Sequence, residues 1–128
     1  MTILVVEDDE MCAQLITETL EMEGYEVALA PNGLEALTML ETLKDVELVL
    51  LDRMMPRMDG ITFIAEAKAR KLLGVVPVIM QTAAGTQQQV IEGASTGVYY
   101  YLTKPYEYTH LIAVVRSALS DHGKRGRA

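Results

Sequence analysis

Five short apolar runs punctuate the chain, at Ile3–Val6, Tyr25–Ala30, Leu48–Leu51, Val75–Met80 and Val98–Leu102. The first and third run almost without a break through Ile, Leu and Val. Parallel strands read this way when helices cover both faces of their sheet. Stretches of helical length and period lie between the runs. Met11, Leu15, Thr19 and Met22 form one stripe, with Glu18, Glu21 and Glu23 mostly beside it. Leu34, Leu37, Leu40 and Leu43 form a second, just after an Asn32-Gly33 turn, and Ile61, Ile64, Ala65 and Lys68 fit a third that ends towards Gly74. A fourth helix, Gln87–Thr96, has a weaker pattern, rich in Gln and with Gly93 inside it. The fifth, Tyr108–Leu119, repeats Leu111, Val114, Val115, Ala118 and Leu119 at spacings of three and four.

Strand and helix therefore alternate five times, with tight connections. Right-handed crossovers on a parallel sheet give an α/β, doubly wound, three-layer domain. The pattern assigns residues 1–122 to this one domain and 123–128, Gly-Lys-Arg-Gly-Arg-Ala, to a solvated basic tail or the start of a linker. A length of 128 residues suits one domain with one substantial core.

Charge changes the picture in one respect. The net charge is −7, but residues 1–60 hold fourteen acids against three Lys and Arg, and residues 61–128 hold four against eight. An acidic first half argues against a nucleic-acid surface and for a cation site near the N-terminal segments. No apolar run reaches the roughly 20 residues of a membrane span. The start, Met1-Thr2-Ile3-Leu4, lacks a basic leader, and Cys12 is the only cysteine, so the expected location is cytoplasmic. Cys12 reads as a buried thiol on a helix. Met11, Met22 and Met39 are expected in helix packing and Met80 in a strand. Asp59-Gly60 is expected to turn the chain into the third helix, and neither His110 nor His122 is assigned a role.

The unusual residues sit where strands end, the edge at which open parallel sheets bind ligands. The first strand runs into Glu7-Asp8-Asp9-Glu10 and the third ends at Asp52. The fourth leads to Thr82 and the fifth to Lys104-Pro105. A helix N-terminus accounts for Asp9 and Glu10. It does not account for Asp52, which directly follows Leu48-Val49-Leu50-Leu51. A carboxylate at the end of a buried strand, near other carboxylates, calls for a cation, and Mg²⁺ suits an all-oxygen set. Lys104 and the Thr82 hydroxyl supply what an anion would need. Together they describe a phosphoryl-transfer site with Asp52 as nucleophile.

Four segments in this order resemble the receiver domain of bacterial two-component response regulators, the CheY-like family with a flavodoxin-like fold. They are Ile3-Leu4-Val5-Val6-Glu7-Asp8-Asp9-Glu10, Leu50-Leu51-Asp52-Arg53-Met54-Met55-Pro56-Arg57-Met58-Asp59-Gly60, Pro77-Val78-Ile79-Met80-Gln81-Thr82-Ala83 and Tyr101-Leu102-Thr103-Lys104-Pro105. The resemblance covers residues 3 to about 120. It implies strand order 2-1-3-4-5, with Asp52 as phosphoacceptor. It implies Mg²⁺ held by Asp8, Asp52 and the Met54 carbonyl, with Glu7 acting directly or through water. Thr82 and Lys104 would meet the phosphoryl oxygens, and Thr82 and Tyr101 would act as switch residues. The bond before Pro105 is often cis in this family. The implied partners are a sensor histidine kinase or phosphotransfer protein and a downstream effector protein or domain. The face of the fourth helix, fifth strand and fifth helix would carry the output, and a homodimer could use the same face. The implied chemistry is self-phosphorylation from a phosphodonor and slow autodephosphorylation.

The chain departs from the family pattern in places. Three tyrosines stand in a row, Tyr99 to Tyr101, and alternation along a strand places Tyr99 and Tyr101 on one side. The loop Ala83–Gln89 lacks charge, and apolar Met54 stands two residues beyond Asp52. Two other readings compete: a pseudo-receiver that binds a partner without phosphorylation, and a small magnesium-dependent phosphohydrolase. Asp52-Arg53-Met54 lacks the second acid of the Asp-x-Asp pair typical of such hydrolases.

Overall fold

The computed structural model describes residues 2–55, 57–82 and 98–127, with side chains through Asp121. The expected Gln87–Thr96 helix, the Ala83–Gln89 loop, Pro56 and the side chains of His122 and the basic tail lie outside the described residues. The elements are β1 (Thr2–Val6), α1 (Glu10–Met22), β2 (Glu26–Ala30), α2 (Gly33–Thr42), β3 (Val46–Asp52), α3 (Gly60–Ala69), β4 (Val78–Thr82), β5 (Tyr100–Thr103) and a C-terminal helix (Tyr108–Arg127). The strands form a parallel sheet of order β2-β1-β3-β4-β5. The doubly wound α/β architecture expected from the apolar runs is the one found.

Alternation within the central strands builds two cores. Leu4, Val6, Val49, Leu51 and Met80 face α2 and α3, where Leu37, Leu40, Phe63, Ile64 and Ala67 meet them. Ile3, Val5, Leu48, Leu50, Ile79 and Leu102 face α1 and the C-terminal helix, packing on Ile16, Leu20, Leu111, Val115 and Ala118. Burial of both faces explains why β1 and β3 consist of continuous apolar residues.

Three helices begin with side-chain caps. Asp9 accepts from the Cys12 amide at 3.0 Å, Asn32 from Glu35 at 2.9 Å and Asp59 from Thr62 at 2.8 Å. The bond from the Thr62 amide is the main reason the Asp59 carboxyl lies below the usual carboxylate range.

Five readings from the pattern need correction. On α3, Ala65 and Lys68 of the expected Ile61–Ile64–Ala65–Lys68 stripe are exposed, and Phe63, Ile64 and Ala67 form the buried face. The Met11–Leu15–Thr19–Met22 stripe of α1 faces solvent, with Met11 74% and Met22 85% exposed; Ala13, Ile16 and Leu20 form the buried face. Two apolar stripes share this helix, and only the neighbouring strands decide which one is covered. Cys12 is half-buried rather than buried, and burial pushes its thiol pKa up. The fourth strand begins at Val78 instead of Val75, because a turn closed by the Val76 amide on the Leu73 carbonyl precedes Pro77. The last helix continues through Arg127, past Leu119 and into the expected tail.

Alternation also fails for Tyr99. It lies in a bend just before β5, so the strand period does not reach it. Its hydroxyl bonds Asp121 at 2.6 Å and Ser117 at 3.1 Å on the C-terminal helix. Tyr100 reaches His110 on the same helix at 3.2 Å. Only Tyr101 packs on the opposite side, against the core of α2 and α3.

Candidate functional site

Register brings the site together. Val6 of β1 lies beside Leu51 of β3, so the next residues, Glu7 and Asp52, emerge side by side. Asp52 is in register with Gln81 of β4, and Thr82 with Thr103 of β5. Lys104 follows at once. The Lys104–Pro105 bond is cis, as the resemblance implied.

Carboxylate oxygens of Glu7, Asp8 and Asp52 lie within 4.8 Å of one another. Lys104 Nζ stands 3.4 Å from Asp52 Oδ2 and 3.6 Å from Glu7 Oε1. Glu7, Asp52 and Thr82 are buried, and Asp8 is exposed. A ligand in the cleft would therefore meet Asp8 from solvent and the other acids from the sheet. The Met54 amide donates to Asp52 Oδ1 at 3.2 Å, while its side chain is 67% exposed at the mouth. Tyr101 is half-buried, with its hydroxyl enclosed.

The loop after Asp52 is held at both ends. The Arg53 amide donates to the Gln81 carbonyl at 2.9 Å, and the Gly60 amide to the Arg53 carbonyl at 2.8 Å. Arg57 takes a left-handed conformation, φ 71°. Gly60 begins α3 in close contact with this loop: a Cβ there would lie 3.0 Å from both Arg53 Cα and the Asp52 carbonyl oxygen.

The electrostatics of the pocket favour a cation. Burial, then the nearby charge of Asp52, pushes Glu7 up to about 7, against the pull of Lys104. Burial works against the Lys104 charge, yet Glu7 and Asp52 hold its ammonium above the usual lysine range. One lysine faces two buried carboxylates and a third at the rim. Glu7 Oε1 is fully buried and, among the described residues, is met by the Lys104 ammonium at 3.6 Å without a hydrogen bond. A buried carboxylate oxygen so weakly satisfied, inside an all-oxygen cluster, fits a hard divalent cation.

The family model for the response regulator receiver domain matches residues 3–116. The chain belongs to the response-regulator receiver family. The curated transcriptional regulatory protein CpxR of Escherichia coli K12 is 39% identical over 117 residues, covering 91% of this chain and 48% of CpxR. The DNA-binding dual master transcriptional regulator RpaA of Synechocystis is 35% identical with the same coverage of each chain. The receiver thus spans about half the length of the curated relatives it matches. Among solved structures, a CheY-like receiver protein from Methanospirillum hungatei superposes with TM-score 0.87 at 29% identity, covering 97% of each chain. The receiver domain of a sensor histidine kinase from Pseudomonas aeruginosa PAO1 gives TM-score 0.83 at 28% identity, covering 93% of this chain and 97% of its own. That structure has a magnesium ion coordinated in its active-site cleft.

Receiver domains of this family are typically phosphorylated on an aspartate with Mg²⁺ bound, and they generally partner with sensor histidine kinases or phosphotransfer proteins. No helix among the described residues is long and apolar enough to cross a membrane.

Two residues near the site had no role in the sequence reading. Gln81 is a polar residue with no exposed surface inside an apolar strand. Tyr106 donates to its Oε1 at 2.5 Å, and burial holds the phenol above the usual tyrosine range. The polar interruption of the run Val78-Ile79-Met80 was the available signal for Gln81. Nothing local marked Tyr106 as its partner, because 25 positions separate the two.

Proposed function

We propose that this receiver accepts a phosphoryl group on Asp52 from a phosphohistidine of a sensor kinase or phosphotransfer protein, or from a small phosphodonor. One observation carries the reading: Lys104 stands 3.4 Å from Asp52, whose carboxylate belongs to a compact cluster with Glu7 and Asp8. Asp52 attacks phosphorus as the P–N bond breaks. The imidazole leaves with the electron pair and takes a proton from water. Lys104 and the Thr82 hydroxyl hold the phosphoryl oxygens. In the return step water attacks phosphorus, and the P–O bond to Asp52 breaks to restore the carboxylate. Asp8, Asp52 and the Met54 carbonyl would hold Mg²⁺, with Glu7 direct or through water. Bound Mg²⁺ supplies charge neutralisation to the carboxylate and phosphoryl oxygens. Intact-mass measurement with acetyl phosphate tests the reading: one phosphoryl group is expected with Mg²⁺, and label that persists undiminished in EDTA would overturn it.

The Asp8→Asn variant is expected to bind Mg²⁺ at least about tenfold more weakly, since losing even an indirect partner of a metal ligand has effects of that size. Amide NMR shifts around residue 52, followed through a Mg²⁺ titration, measure this. Undiminished affinity would move the cation site away from Asp8.

The domain is read as cytoplasmic and as occupying 1–122, with 123–128 a basic tail or the start of a linker, its backbone continuing the C-terminal helix through Arg127. Downstream, an effector protein or domain, or a second copy, would read the side of β5 and the C-terminal helix on which Tyr100 and Tyr108 are exposed, together with the helix expected from the sequence over Gln87–Thr96. A phosphoryl group brings acceptor oxygens beside Thr82, drawing its hydroxyl inward and changing the packing around Tyr101. Tyr101 is already half-buried, so the change is a repacking around its ring. With a beryllofluoride–Mg²⁺ mimic, NMR shifts are expected to run from Asp52 to Tyr101 and residues 87–96. Thr82→Ala should diminish the distant ones. Shifts confined to the loops of Asp8, Asp52 and Lys104 would remove this output face.

A further inference from the structure

Gln81 is a poor core residue. It has no exposed surface, and its Nε2 has no hydrogen-bond partner among the described residues. A buried amide left half satisfied costs free energy that Leu or Met at the same place would not. Its one side-chain bond goes to the Tyr106 hydroxyl, 2.5 Å away. Tyr106 stands two residues beyond Lys104, on the connection between β5 and the C-terminal helix. Gln81 is in register with Asp52 on one side and Leu102 on the other, and its carbonyl accepts from the Arg53 amide. The bond therefore ties the connection that carries Lys104 to the strand beside Asp52.

Packing alone does not hold that connection. A cavity of about 370 Å³ opens beneath it, lined by Cys12, Ile16, Gln81, Lys104, Tyr106 and Tyr108. The Tyr106 ring has room to swing into this space once its hydroxyl is released. The Lys104 amide is itself held by the Thr82 carbonyl at 2.7 Å, so what the swing of its neighbour would alter, through Pro105, is the aim of the Lys104 side chain.

We propose that Gln81 and Tyr106 are positioning residues, whose hydrogen bond holds the Lys104 ammonium over Asp52 for the incoming phosphoryl group. The proposal rests on the phosphoacceptor reading above. Its particular content is that the bond contributes direction rather than stability.

The test uses Tyr106→Phe, Gln81→Leu and the double variant, each compared with wild type. Labelling rate is followed by intact mass against acetyl phosphate concentration, and stability by urea unfolding. Replacing both bonding partners by apolar groups is expected to leave the double variant at least as stable as wild type. All three variants should nevertheless label about tenfold more slowly at low donor concentration, the range expected when a positioned group is displaced. The double variant should be no slower than the slower single one, because both singles break the same bond. Mg²⁺ affinity should not fall, because Lys104 shares Asp52 and Glu7 with the cation and its displacement takes away a competing charge. Wild-type labelling rates in Tyr106→Phe would overturn the positioning role while leaving the phosphoacceptor reading intact. Slower labelling that tracks a matching loss of stability would also overturn it, in favour of a structural role. A wild-type chain that takes no label would overturn both, and only that outcome removes the reading on which the proposal rests.

Discussion

Asp52→Asn is expected to gain no phosphoryl group from acetyl phosphate and Mg²⁺ under conditions in which the wild-type chain gains one. Asn matches Asp in volume, and the Asp52 site is enclosed at the end of β3, so the substitution should leave the two cores as they are. It removes the anionic oxygen that would attack phosphorus. The nearby acids offer no replacement in kind. Asp8 is exposed at the rim, and Glu7 is buried beneath it against Lys104, so neither takes the place of Asp52 at the end of β3. Intact-mass measurement decides the matter, with a urea midpoint near wild type as the check on folding. Equal labelling of the variant would withdraw Asp52 as acceptor.

The second large effect is expected at Gly60, where the sequence expects a turn into α3 with a close backbone approach. A methyl group there would meet backbone on two sides, Arg53 Cα and the Asp52 carbonyl oxygen, each at 3.0 Å, and Met80 Cε at 3.2 Å. The methionine tip can yield, but the backbone contacts belong to the loop that orients the acceptor. Gly60→Ala is therefore expected to lower stability by about 1–3 kcal/mol, the usual range for overpacking a tight site. Ala is otherwise the better helix former, so a stabilised variant would show that the loop moves freely. Displacement of the Asp52 loop should also slow labelling, by roughly tenfold for a shift of a few tenths of an ångström. Urea unfolding and labelling rates measure the two effects separately. Lost stability with wild-type labelling would mean that α3 shifts instead of the loop.

The fate of particular residues shows how far the pattern reached. Leu48 to Leu51 announced a strand buried on both faces, and Asp52 stood out because a carboxylate follows such a run. Both cores alternate along the strands accordingly. On α1 the same reasoning chose Met11, Leu15 and Met22 over Ala13, Ile16 and Leu20. An amphipathic helix with apolar residues on more than one side does not say which side its sheet will cover. Tyr99 escaped alternation because the period holds only inside the strand, and where the strand begins depends on pairing with β4.

The sequence by itself determined the order of elements, the parallel sheet and the set of polar residues at the strand ends, because periodicity and turn chemistry are local properties of the chain. Tertiary structure alone decided which of those residues touch. The 3.4 Å approach of Lys104 to Asp52, the contact of Gly60 with the acceptor loop and the bond from Tyr106 to Gln81 join positions far apart in sequence. Such contacts depend on strand register and on the packing of helices across the sheet. A shift of one residue between β1 and β3, or between β4 and β5, would leave every local pattern intact and move these groups off the shared cleft.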